Sequence, residues 1–132
     1  LYSSAASDVY KRQLTNCITI VDRNHCMIDG NTEDVMKLEP LADKFVAFGF
    51  HTIVCEGNNI VSLCKAIDEA HKTKDKPTVI VADTIKGVGI KLTSGNYKWH
   101  YGAIDDEMAK VAAKDLDEYS AERIARCGKE FE

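Results

Sequence analysis

Three short runs of unbroken apolar residues, mostly β-branched, constrain the fold of this chain more than anything else in it. They are Ile18, Thr19, Ile20 and Val21; Thr52, Ile53, Val54 and Cys55; and Val79, Ile80, Val81 and Ala82. Each has the length of a strand; the first, which does not alternate with polar residues as a strand covered on one face would, reads as an interior parallel strand buried on both faces, and the other two read as further apolar strands of the same sheet. Parallel neighbours cannot be joined by a hairpin and need a crossover. The intervening segments supply helices for it. Leu41, Ala42, Phe45 and Phe48 recur at helical spacing between Pro40 and Gly49, residues that suit a helix start and stop. Ile60, Leu63, Cys64, Ile67 and Ala70 form one face of a second helix, opposite Lys65, Asp68, Glu69 and Lys72, with Asn59 as its cap. The 21 residues from Gly57 to Pro77 thus fit a right-handed strand-helix-strand unit. A last helix has Asp105, Asp106 and Glu107 in an acidic first turn, a stripe of Met108, Ala112, Leu116 and Tyr119, and Arg123, Arg126 and Lys129 near its end. The expected fold is α/β, a parallel sheet with helices on both faces.

At 132 residues the chain fits one domain. Its net charge of -4 and scattered Lys and Arg give no basic face for nucleic acid. No apolar run approaches the roughly 18 residues of a membrane span, and no secretory pattern is present. A cytoplasmic protein is expected. Cys17, Cys26, Cys55, Cys64 and Cys127 are spaced irregularly and form no Cys-x-x-Cys pair, which fits small buried thiols better than disulfides or zinc. Residues 1–13 begin with Leu, fit no periodic pattern and look like translated adapter sequence; they are expected to be a non-native or disordered extension of an open-ended piece.

Chemistry is expected where strands end, because open α/β sheets bind ligands there. The first strand runs into Asp22, Arg23 and Asn24, followed by a loop to about Glu39. Asp22 and Asn24 can offer oxygens to a hard cation such as Mg²⁺, and they equally suit a plain polar turn. The third strand runs into about twenty residues without periodicity (84–103), holding Gly87, Gly89, Gly95 and Gly102 among Lys86, Lys91, Lys98, Trp99, His100 and Tyr101. Lys86 beside Gly87 and Gly89 suits an anion, or the glycines simply turn the chain. His100, between two aromatic residues, is either a partly enclosed group that bonds a phosphate or hydroxyl, or a structural residue. His25, His51 and His71 show no metal-ligand spacing, and Phe45, Phe48 and Phe50 read as core or subunit interface. No Gly-x-Ser-x-Gly elbow is present.

The order of the pieces carries more than any one of them. Ile-Val-Asp-Arg-Asn with Ile-Asp-Gly, Leu-Glu-Pro-Leu-Ala-Asp-Lys-Phe with Phe-Gly-Phe, Lys-Pro-Thr-Val-Ile-Val-Ala-Asp-Thr-Ile-Lys-Gly-Val-Gly, and Lys-Trp-His-Tyr-Gly follow one another. This succession resembles the thiamine-diphosphate domain of transketolase, above all the separate N-terminal subunit of bacterial two-subunit transketolases. The resemblance implies thiamine diphosphate and Mg²⁺ as cofactors. It makes Asn24 a side-chain metal ligand and Cys26 a ligand through its backbone carbonyl. It places Ile28 in the cofactor cavity, Lys86 near the cofactor, and His100, the catalytic candidate, against diphosphate and substrate. The implied reaction moves a two-carbon ketol unit between sugar phosphates, with a C-terminal transketolase subunit or domain as partner in a dimer or heterotetramer.

Two departures matter. Tyr101 intervenes where the family reads Trp-His-Gly, and the Gly-Asp-Gly half of the metal motif belongs farther upstream of Asn24 than the 23 residues that precede it. The chain is therefore expected to be a fragment, with residues 14–132 the C-terminal part of the domain, and to be inactive alone. Deoxyxylulose-phosphate synthase, which shares fold and motif, is the near alternative; a non-catalytic phosphate-binding or assembly module is the distant one. Residues 38–50 and the Trp99, His100 pair favour transketolase.

Overall fold

A computed structural model describes residues 14–127; residues 1–13, with the expected extension, and Lys129 lie outside the described residues. The elements in chain order are β1 (Ile18–Arg23), β2 (Cys26–Met27), β3 (Gly30–Asn31), α1 (Thr32–Val35), α2 (Leu41–Ala47), β4 (His51–Glu56), α3 (Ile60–Lys72), β5 (Thr78–Asp83), a 3-10 turn (Tyr97–His100) and α4 (Asp106–Cys127). They divide into two compact units, one of residues up to 23 and 38–84, the other of residues 24–37 and those from 85 on.

The first unit is the sheet. Its strands are parallel in the order β1-β5-β4, with Ile18 and His51 both opposite Thr78, and Arg23 and Glu56 both opposite Asp83. All three apolar runs form strands, but only β5 is covered on both sides by other strands, and its Thr78, Val79, Ile80, Val81 and Ala82 are all buried. The expectation of burial on both faces fails for β1, and β4 is likewise partly open. Ile20 is 51% exposed and Val54 61%, because these strands form the two edges of the sheet.

Alternation along β5 sends successive side chains to opposite faces. Val79 and Val81 meet Phe50, with Leu41 and Phe45 of α2 packed against them. Ile80 meets Ala66 and Ala70 of α3, flanked by Leu63 and Ile67. Helices thus cover both faces, as expected. Phe45 and Phe50 pack edge to face with centroids 6.0 Å apart and belong to the core, whereas Phe48, expected with them in the core or an interface, is exposed. Leu63, Ile67 and Ala70 of the stripe read by spacing face the core as expected, while Ile60 and Cys64 are exposed and Ala66 joins Ala70 in the buried positions, where a small side chain lets helix and sheet approach.

Local capping follows the residue types. Asn59 Oδ1 accepts from the amides of Val61 (3.0 Å) and Ser62 (3.3 Å), the predicted cap of α3. At α2, Pro40 stands at the cap position without a side-chain bond, and Glu39 Oε2 accepts the Leu41 amide instead at 2.8 Å. The same carboxylate accepts from Nε of the buried Arg23 at 2.8 Å, so one glutamate serves a strand end and a helix start.

In the second unit, the stretch expected to be a loop up to Glu39 contains a small hairpin, with Cys26 opposite Asn31 and Met27 opposite Gly30, followed by the single turn α1. Two-residue strands have no apolar run to announce them. Asp105 Oδ1 accepts the Met108 amide at 2.8 Å and opens α4, whose first turn carries Asp106 and Glu107. No helix among the described residues is long and apolar enough to cross a membrane.

Candidate functional site

The site lies within the second unit and starts at Asn24. Its Oδ1 accepts the Cys26 amide at 3.0 Å, while His25 takes a left-handed conformation with φ 61°. The Thr32 amide donates to the His25 carbonyl at 2.9 Å and holds the bend in place. Asn24 therefore forms the polar turn, and an amide oxygen that accepts one hydrogen bond keeps a second lone pair for a cation. The other candidate donor, Asp22, accepts the Thr84 hydroxyl at the ends of β1 and β5 and does not line the site.

Lys86 and His100 come from the glycine-rich segment, which is folded back on itself. The Gly95 amide donates to the Lys86 carbonyl at 2.8 Å, and the Thr93 hydroxyl to the Gly87 carbonyl at 2.9 Å. Gly87 has φ 65°, and a Cβ there would meet Thr93 atoms at 2.8 Å, so the close return of the chain requires glycine. The Cys26 thiol reaches the Gly95 carbonyl at 3.8 Å and links this fold-back to β2. Asn96 Oδ1 accepts the Lys98 amide at 3.1 Å and caps the turn that carries His100. Tyr101, the departure from the family pattern, turns out to solvent at 80% exposure and sets its ring edge-on to His100. Gly102 then lies against the Trp99 ring. The extra residue is absorbed in the open, and the expected enclosure of His100 is not found; its side chain is exposed.

An open cleft of about 360 Å³ is lined by Asn24, Cys26, Met27, Ile28, Asp29, Lys86 and His100. It brings together all five residues singled out from the sequence, drawn from three separated stretches. Met27 and Asp29 were missed; the hairpin that aims them has only the short Ile28-Asp29 turn as a sequence signal. The lining includes Asn24 and Asp29, whose oxygens suit a hard cation, and Lys86 and His100, which can donate to an anion. Among the described residues, no three His, Cys, Asp or Glu side chains are grouped to hold a metal ion. The donors suit Mg²⁺ in kind but fall short of its near-octahedral shell, as expected where phosphate and water oxygens complete it.

Farther along, the glycine-rich segment is anchored on α4. Asp115, only 7% exposed, accepts the Lys91 backbone amide on Oδ2 at 2.9 Å, and Lys91 Nζ lies 3.3 Å from Oδ1. Lys91 Nζ also donates to Glu118 at 2.7 Å. The Lys91 amide, more than any other neighbour, holds the Asp115 carboxyl below the usual carboxylate range against the opposing effect of burial. Glu118 is held down mainly by its hydrogen bond from Lys91, and the Lys91 ammonium is raised mainly by that same bond.

Comparison with known proteins gives the family and supports the fold. Residues 2–121 match the family described as transketolase, thiamine diphosphate binding domain. A 6-deoxy-6-sulfo-D-fructose transketolase subunit of Clostridium sp. (strain MSTE9) is 36% identical over 110 residues, covering 83% of this chain and 40% of that protein. An apulose-4-phosphate transketolase subunit of Phocaeicola vulgatus is 33% identical over 131 residues, covering 98% of this chain and 44% of that one. Among solved structures, transketolase from Campylobacter jejuni superposes with a TM-score of 0.76 at 28% identity, over 86% of this chain and 18% of that one. Transketolase from Leishmania mexicana gives 0.69 at 30% identity, over 93% of this chain and 22% of its own. The chain thus spans less than half the length of these relatives.

Proposed function

The chain belongs to the transketolase thiamine diphosphate binding domain family, and from that premise we propose that its cleft forms part of a Mg²⁺-thiamine diphosphate site in a transketolase subunit that moves two-carbon ketol units between sugar phosphates. The observation that carries the reading is the convergence of Asn24, Cys26, Ile28, Lys86 and His100 on one cleft. In this proposal Asn24 Oδ1 and the Cys26 carbonyl hold the metal, Ile28 packs against the cofactor, and Lys86 pairs with the diphosphate as a point charge. His100 donates a hydrogen bond to diphosphate and to a substrate oxygen as negative charge gathers there, a task its accessibility and switchable proton suit. The bound cofactor supplies the nucleophilic carbon and the electron sink that the two-carbon transfer needs.

Both curated relatives described above are named as subunits of transketolases, and this supports a partner subunit or domain; we propose that this partner completes the site in a cytoplasmic dimer or heterotetramer. Alone, the chain is proposed to be inactive. In the full subunit, Asn24→Ala is expected to abolish Mg²⁺-dependent thiamine diphosphate binding in calorimetry, and unchanged affinity would remove Asn24 from the ligand set. His100→Ala is expected to lower the transfer rate at unchanged thermal midpoint; full activity would make His100 structural.

A further inference from the structure

We propose that Asp115 on α4 is a positioning residue for Lys86: by anchoring the glycine-rich segment at Lys91, it sets where the Lys86 ammonium stands in the cleft. The proposal rests on the reading of that cleft as a diphosphate site. A carboxylate this deeply buried is unusual among surface-helix residues, and its oxygens take both the backbone amide and the ammonium of Lys91. Four residues separate Lys91 from Lys86, and the segment has few internal degrees of freedom left. Gly95 is bonded back to the Lys86 carbonyl and Thr93 back to Gly87, while Cys26 reaches Gly95. Gly89, at φ 96°, brings the backbone so near α4 that a Cβ would stand 3.1 Å from both Leu116 and Tyr119. Asp115 and Gly89 thus dock the same segment on the same helix, one by hydrogen bonding and one by close approach. An anion held by a point charge on a flexible stem needs the stem's root fixed, which is how groups remote from a ligand affect its binding.

Amide hydrogen exchange on the 132-residue chain tests this. Asp115→Leu, which keeps the branching of the side chain and loses both acceptors, is expected to speed exchange of the Gly95 amide about tenfold while Val81 in β5 keeps its protection. Asp115→Asn, which retains an oxygen for the Lys91 amide, is expected to restore Gly95 to within about threefold. Faster exchange at Lys91 alone, with Gly95 unchanged, would overturn the proposal. Should Asp115→Leu also lose protection at Val81, Gly89→Ala decides, since it disturbs the same docking from the loop side; normal Gly95 exchange in that variant would overturn the proposal. In the full subunit assembled with its partner, a titration with Mg²⁺ and inorganic pyrophosphate, followed by NMR at Lys86 and His100, separates the two readings. If the parent chain responds, Asp115→Leu is expected to raise the half-saturating concentration about tenfold, and an unchanged value counts against positioning. No response in the parent counts against the diphosphate site, and the exchange result then decides by itself whether Asp115 anchors the loop.

Discussion

The two units of this chain are each held together by a different kind of force. In the sheet unit, Val79, Ile80, Val81, Phe50, Ala66 and Ala70 are buried, and apolar contact on both faces of β5 does the work. In the unit that carries the cleft, no large apolar side chain among the described residues is buried. Gly30, Thr32 and Asp115 are its buried positions, and its shape comes from Asx turns, backbone fold-backs and the Lys91, Asp115, Glu118 cluster. A scaffold can rely on non-directional burial, whereas a binding site must place individual polar atoms, which only directional bonds do. The expected cost is lower local stability around the cleft.

The contrast can be tested from its strongest side. Ile80 is fully buried at the centre of the sheet, so Ile80→Ala is expected to cost about 2–5 kcal/mol in denaturant unfolding; a loss well below that range would mean that β5 is not the centre of the core. Glu39→Ala removes at once an acceptor for buried Arg23 and the cap of α2, and about 2 kcal/mol is expected from the same measurement. Loss of the cap alone would show as no more than about 1 kcal/mol.

The smallest effect belongs to the cleft unit and is read by pH. Asp115 and Glu118 titrate below their ordinary values, so their contribution is complete above the usual carboxylate range and is lost as pH falls through the depressed values. Lys91 is raised, so its contribution holds at neutral pH and fades only far into the alkaline range. Lys114, 3.9 Å from Glu118, adds to the positive side of the cluster. Below about pH 4 the Lys91 and Gly95 amides are expected to lose protection before Val81 does. Simultaneous loss would erase the distinction between the units.

Much of the first unit could be read from residue order, since strands and helices are written in local patterns. The bounds of β4 and β5, the Asn59 cap and the helical segment after Pro40 all follow from runs, spacing and turn residues within a few positions. In the second unit, the family motifs pointed to the residues that line the cleft, yet periodicity was silent on the hairpin that aims them. Met27 and Asp29 were missed because a two-residue strand has no period.

The sequence by itself determined that this chain is an α/β protein, where the three strands of its parallel sheet run, and that it belongs with the transketolases, because those properties rest on composition and order along the chain. Tertiary structure alone decided that β5 is central while β1 and β4 are edges, that Arg23 shares Glu39 with a helix start, and that a carboxylate on α4 is buried to grip Lys91. Each of these depends on which distant residues meet. An aspartate in a charged helix reads as solvated until the chain that buries it is in place, and burial then changes what that residue does.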